Sequence, residues 1–189
     1  MVIIAFLAAH MIGLRQYQVL STKCGASDTS RSVLSQLPRD IRSTKMWWIG
    51  NYNMGSGTFS QISDGTAQEG TALQLFQTTN DSTPYILYYF DLTGSNNNNG
   101  KLMRYNSINA TTVCLASNLV NWLGMGYSFK AEKFDGTRCT NEGTATAYKS
   151  LICTRLQFCR FEYPLAVVGT NGLYDFYKLE FRATPHLPE

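Results

Sequence analysis

Two histidines and five cysteines are the most versatile side chains of this 189-residue chain, and their placement restricts the chemistry it can carry. His10 lies in an apolar N-terminal stretch, MVIIAFLAAHMIGL, and His186 in the short tail TPHLPE. A Ser-His-Asp or Cys-His centre in a folded body needs a histidine there to carry the proton, and neither is so placed. Metal sites built on histidine fail for the same reason. There is no GxxxxGK[ST] stretch and no GxGxxG joining a strand to a helix. Carboxylates occur at Asp64, Glu69, Asp91, Glu132, Asp135, Glu142 and Asp175, with no spacing that singles out an acid–base pair. The loop DLTGSNNNNG gathers oxygen donors from Asp91, Ser95 and several asparagines but lacks the carboxylate density of a calcium loop. Asn80 (NDS) and Asn109 (NAT) match the glycosylation acceptor pattern, which chance supplies often in an Asn-rich chain. The expectation is therefore no catalytic residue, no metal, no cofactor and no nucleic-acid partner: not an enzyme.

The cysteines form no CxxC pair. Cys153 and Cys159 are six apart, so within one strand they share a face but cannot reach each other. One or two bridges among Cys114, Cys139, Cys153 and Cys159 suit an oxidising compartment, and buried reduced thiols are the equal alternative. The odd count, with Cys24, leaves one thiol free or intermolecular.

The elements that would position these groups change character along the chain. Residues 1–46 predict one long helix: after the apolar start, Leu14, Tyr17, Leu20 and Cys24 recur at helical spacing, and Leu34, Leu37 and Ile41 resume the stripe. Pro38 lacks the N–H that would bond the carbonyl of Leu34 and predicts a kink or break. From Met46 the stretch MWWIGNYNMGSG ends the helical period. Strand-like runs follow at Thr58–Ile62, Ala72–Gln77, Tyr85–Leu92, Lys101–Asn106, Thr111–Ala116, Tyr127–Phe134, Ser150–Tyr163 and Leu173–Ala183, separated by Gly, Asn, Asp and Ser. YILYYFDLTGSNNNNGKLMRYN predicts a hairpin. EYPLAVVGTNGLYDFYKLEF predicts a second pairing with its turn at GTNG, and Asn118–Leu123 a short helix or turn. Trp47 and Trp48 are expected to pack at the junction of helix and body, with a membrane-interface anchor as the alternative.

Charge follows the same division. Residues 1–46 hold six basic and two acidic residues, net +4, and the remainder ten basic and eleven acidic, net −1. The basic flank is either a solvated helix face or a contact for a membrane surface or acidic neighbours. The composition, 44% hydrophobic with 13% aromatic, excludes wholesale disorder. A fourteen-residue helix spans ~21 Å against a hydrocarbon core of ~30 Å, so the apolar start is too short to cross alone. His10 within it is either a polar contact between neighbouring helices or a neutral histidine near an interface.

This layout resembles the type IV pilin and pseudopilin superfamily, in the manner of minor pseudopilin J and minor pilin W proteins. The stretch carrying the resemblance is HMIGLRQYQVLSTKCGASDTSRSVLSQLPRDIRSTKMWWIGN, supported by GTALQLF, YYFDLTGSNNNNGKLMRYN and FEYPLAVVGTNGLYDFYKLEFRAT. It implies an α+β fold: a long N-terminal α-helix, residues 1–46, with an apolar tip and an amphipathic lower half, packed on a mainly antiparallel β-rich head, residues 47–189. It implies a structural subunit of a pilus-like filament of type II secretion or a type IV pilus. That subunit would be inserted in the bacterial inner membrane with its head in the periplasm, then assembled into a periplasmic or extracellular filament. Val2, Ile3, Ile4, Phe6, Leu7, Met11, Ile12 and Leu14 would contact lipid and then the filament core. Leu34, Leu37, Ile41, Trp47 and Trp48 would pack helix against head. Implied partners are other pilin subunits, inner-membrane lipid and a prepilin peptidase, although the peptidase's motif is absent and is expected upstream or trimmed away. The alternative is a membrane-anchored or secreted β-rich binding module of adhesin type.

Overall fold

A computed structural model describes residues 10–14, 17, 28, 30–79, 84–91, 100–120, 127–140, 150–161 and 174–185. The expected α+β class with one long helix over 1–46 is corrected: the fold is mainly β, and among the described residues the helical runs are two short stretches, α1 (10–14) and α2 (30–42), with Tyr17 and Asp28 also helical. The end of α2 has a local cause. The Thr44 hydroxyl donates to the Phe76 carbonyl at 2.7 Å and the Lys45 N–H donates to the same oxygen at 2.9 Å. The chain is thus captured by a neighbouring strand and continues extended from Met46. Of the kink or break expected at Pro38, the break does not occur: the helix runs on to residue 42. The carbonyl orphaned there belongs to Leu34, which is 41% exposed, where water can satisfy it.

The single-pass membrane anchor and the inner-membrane placement are also corrected. No helix among the described residues is long and apolar enough to cross a membrane. At ~1.5 Å per residue α2 spans ~20 Å. It is also amphipathic: Val33, Leu37 and Ile41 are fully buried while Arg31, Arg39 and Arg42 are exposed.

Among the described residues ten strands follow: β1 (Met46–Asn53), β2 (Thr58–Gln61), β3 (Glu69–Gly70), β4 (Ala72–Phe76), β5 (Tyr85–Asp91), β6 (Gly100–Asn106), β7 (Thr111–Val120), β8 (Phe129–Lys133), β9 (Ser150–Phe161) and β10 (Tyr174–Ala183). They form one antiparallel sheet in the order β2-β1-β4-β5-β6-β7-β9-β8-β3, with β10 paired to β9. The hairpin expected at YILYYF…KLMRYN is the β5–β6 pair, with Tyr89 opposite Met103. β10 pairs with β9, Tyr174 opposite Phe161, and residues 162–173, including GTNG, lie outside the described residues. Where a helix or turn is expected from Asn118, β7 instead runs on to Val120.

The sheet curls until its far end returns to β1. A Cβ on Gly70 would meet the carbonyl oxygen of Gly50 at 2.1 Å, so only glycine allows β3 to lie this close to β1. The Thr71 N–H donates to Asn51 Oδ1 at 3.1 Å beside this contact. Inside the curl, Val33, Leu37 and Ile41 of α2 meet alternate residues of many strands: Trp47 and Ile49, Leu73 and Leu75, Ile86, Tyr88 and Phe90, Leu102, Phe129, Ile152 and Leu156. The two-residue strand period delivers this core, and one helix fills it.

Candidate functional site

Outside the core, α1 presents apolar side chains to solvent. Met11 is 59%, Ile12 56% and Leu14 51% exposed, and Tyr17 beyond them 72%. His10 is exposed on the same stretch. Large apolar side chains exposed together on one short stretch form an apolar patch, the kind of surface at which association occurs. Val2, Ile3, Ile4, Phe6 and Leu7 lie outside the described residues.

On the inner face of the sheet, Asp40 fixes α2 in place. Its Oδ2 accepts the Tyr88 hydroxyl at 2.7 Å and the Arg104 Nε–H at 2.8 Å, and that same Nε lies 3.3 Å from the Tyr88 oxygen. Burial, then the nearby Asp40 charge, pushes the Tyr88 phenol up, so it stays a donor. Burial is the largest single influence and opposes the charge on Arg104, but the hydrogen bonds and charges of Asp40 and Tyr88 together outweigh it and raise its pKa. One carboxylate thereby joins the helix to two adjacent strands.

The outer face of the sheet divides into two parts. Across β8, β9 and β10 it is ionic: Lys130 and Arg182 both pair with Glu132, Arg182 also with Glu180 at 2.8 Å, and Arg155 with Glu180 at 2.9 Å. Arg155 donates to the Tyr127 hydroxyl at 2.7 Å and lies 5.3 Å from that ring's centre. Cys153, fully buried among these charges, has its thiol pushed up to about 11 by burial first and by the Glu180 charge second. It is thus a protonated, unreactive thiol at neutral pH. Across β1, β4, β5 and β6 the outer face is aromatic. Tyr52 stacks on Tyr89 at 4.0 Å, Trp48 meets Phe76 edge-on at 4.7 Å, and Tyr85 lies 6.0 Å from both Phe76 and Tyr105.

The expected packing residues separate along these faces. Leu37, Ile41 and Trp47 are in the inner core. Leu34 is largely solvent-facing, with Val33 buried in its stead. Trp48 points outward, because neighbours in a strand face opposite sides. Cys114, Cys139 and Cys153 are free thiols, Cys114 exposed and the others buried, and the side chain of Cys159 lies outside the described residues.

Among the described residues the carboxylates do not gather into one site. Glu132 belongs to the ionic network, Glu69 takes Arg138 at 3.2 Å, and Asp135 holds a turn by accepting the Thr137 N–H at 2.8 Å. Glu142, the side chain of Asp175 and most of the DLTGSNNNNG loop lie outside the described residues. Among the described residues no three His, Cys, Asp or Glu side chains are grouped to hold a metal. Sequence reasoning missed β1, Val33 and both ionic clusters. The signal for β1 was present: Met46, Trp48, Gly50 and Tyr52 alternate with Trp47 and Ile49, an apolar run of a strand covered on both faces. No protein-family description, no curated protein and no solved structure matches this chain.

Proposed function

We propose that this chain is a structural, non-catalytic subunit of a pilus-like filament, assembled by burying its apolar N-terminal stretch against pilin-like neighbours. The carrying observation is the exposure of Met11, Ile12 and Leu14 on α1, beside a body whose own core is already filled by α2. Covering apolar area contributes ~25 cal/mol per Å², so a bundle of such stretches is a driving force for association. The resemblance of HMIGLRQYQVLSTKCGASDTSRSVLSQLPRDIRSTKMWWIGN to pilin sequences supplies the kind of neighbour. Deletion of residues 1–14 is the test: the expected product keeps the unfolding transition of the full chain but no longer enters assemblies, read by sedimentation and electron microscopy. A truncated chain that assembles as the full one does would overturn the reading.

A second reading, an adhesin-like binding module, is favoured by one observation. Tyr52, Phe59, Tyr85 and Tyr105 are only half-buried on the outer face, a platform on which sugar rings could stack. Glycan-array binding abolished by Tyr105→Ala, with assembly unaffected, would favour it over the filament subunit.

A further inference from the structure

β10 pairs with β9 along one edge, and among the described residues no strand lies along its other edge. The direction of its backbone groups follows from β9. The Arg155 N–H donates to the Ser128 carbonyl at 2.8 Å, on the side of β8. Arg155 stands opposite Glu180. Opposed residues of an antiparallel ladder either exchange both hydrogen bonds or both turn away from each other. Glu180 therefore turns its N–H and C=O to the open edge, and with a period of two so do Lys178 and Arg182. The side chains of these three residues are exposed on the outer face and alternate in sign, while Leu179 and Phe181 between them are half-buried on the inner face.

We infer that this edge receives the same strand of a second copy of the chain, antiparallel, with Lys178 of each copy opposite Glu180 of the other. The alternation of charge selects that register. Setting Glu180 opposite Glu180 places like charges together and puts Lys178 against Arg182, which is destabilising across a sheet. Centring the pair on Leu179 places Lys178 of each copy beside Glu180 of the other, adding to the Arg155 and Arg182 contacts Glu180 already holds, lets residues 175–183 form the ladder, and brings the half-buried Leu179 side chains together on the two-fold axis. Charged side chains on an edge keep out arbitrary strands. Here the same charges admit one partner, and main-chain bonds supply the attachment. This surface is separate from α1, so its failure is distinguishable from failure of the filament reading.

Hydrogen exchange on the full chain at low and high concentration, with sedimentation analysis, tests the inference. The amides of residues 178, 180 and 182 should slow at least about tenfold as concentration rises. Glu180→Pro removes an outward N–H and no bond to β9, and should abolish the dimer, whereas Glu180→Ala keeps the N–H and should retain it. Lys178→Glu should weaken association about tenfold or more by opposing like charges, and the swap Lys178→Glu with Glu180→Lys should restore it to within about threefold. If Glu180→Pro loses the protection of the Leu179 and Phe181 amides, which bond β9, the charge series alone decides. Concentration-independent exchange at 178–182, a proline variant dimerising like the alanine variant, or a charge swap that fails to restore association would each overturn the inference.

Discussion

Asp40 on the inner side of the sheet and Glu132 on the outer side are equally buried, each carboxylate 8% exposed and each beside an arginine. Their surroundings differ. Asp40 ties α2 to β5 and β6 by hydrogen bonds from partners 48 and 64 residues away in the chain. Glu132 sits in a mesh where Lys130 and Arg182 both serve it and where Arg155 and Glu180 form a further pair alongside. Equal burial therefore does not mean equal dependence. Where one carboxylate accepts from two buried donors, its loss leaves the Tyr88 hydroxyl without that acceptor and Arg104 with the longer contact to the Tyr88 oxygen; where charges are shared, neighbours can re-pair.

The sharpest way to break this comparison is Asp40→Ala. It takes their shared carboxylate from the fully buried Tyr88 hydroxyl and from the Arg104 guanidinium, 15% exposed, which keeps the 3.3 Å contact to the Tyr88 oxygen. Removing one partner of a buried ion pair costs about 3–5 kcal/mol, a large share of the ~5–15 kcal/mol of a typical domain. The loss should appear in urea unfolding, with amides of residues 33–41 exchanging faster as α2 loosens. A cost below about 1 kcal/mol would show that the apolar contacts of Val33, Leu37 and Ile41 hold the helix alone.

Asp40 also shows where the sequence was opaque. Its neighbours suggest an ordinary solvated helix face, and nothing near it indicates that Tyr88 and Arg104 fold back onto it from two strands. Long-range pairing of this kind is fixed by sheet topology, not by local pattern. Local pattern did mark β2 and β4 through β10 to within a few residues, because β-branched and aromatic runs between Gly, Asn and Ser carry a period of two. It failed at β1, where apolar residues on both faces erase the alternation. It also misassigned α2's face by one residue, since Val33 and Leu34 are both aliphatic and only the sheet decides which is covered. The aliphatic spacing before Leu14 could show that the segment is apolar but not what covers it.

Glu132 tests the shared cluster through pH. Burial alone would raise its pKa, but hydrogen bonds from Lys130 and Arg182 outweigh it and hold the carboxylate below the ordinary 4.5. A carboxylate lowered on folding stabilises the native state above the ordinary carboxylate range, and that contribution is lost as pH falls through its folded value. Glu132→Gln should cost about 2 kcal/mol at neutral pH, less than Asp40→Ala, because Arg182 keeps Glu180. The gap between variant and wild type, followed by chemical denaturation, should close as pH falls below the ordinary carboxylate range. A gap that stays constant through that fall would mean Glu132 contributes packing and not charge.

The smallest effect belongs to the other arginine beside Asp40. Arg39 Nε lies 3.9 Å from Asp40 Oδ1, nominally an ion pair like that of Arg104 at 2.8 Å, but its side chain is 72% exposed. Water screens it, and the long side chain loses rotamer freedom if it is held in one geometry, so Arg39→Ala should change stability by no more than about 0.5 kcal/mol. Salt separates the two cases further. Added salt should leave the Arg39 effect near zero and the Arg104→Ala cost largely intact, because a buried pair is poorly screened. If Arg39→Ala proved as costly as Arg104→Ala, Asp40 would be held by a cluster shared like that of Glu132, and the contrast between the two faces of the sheet would collapse.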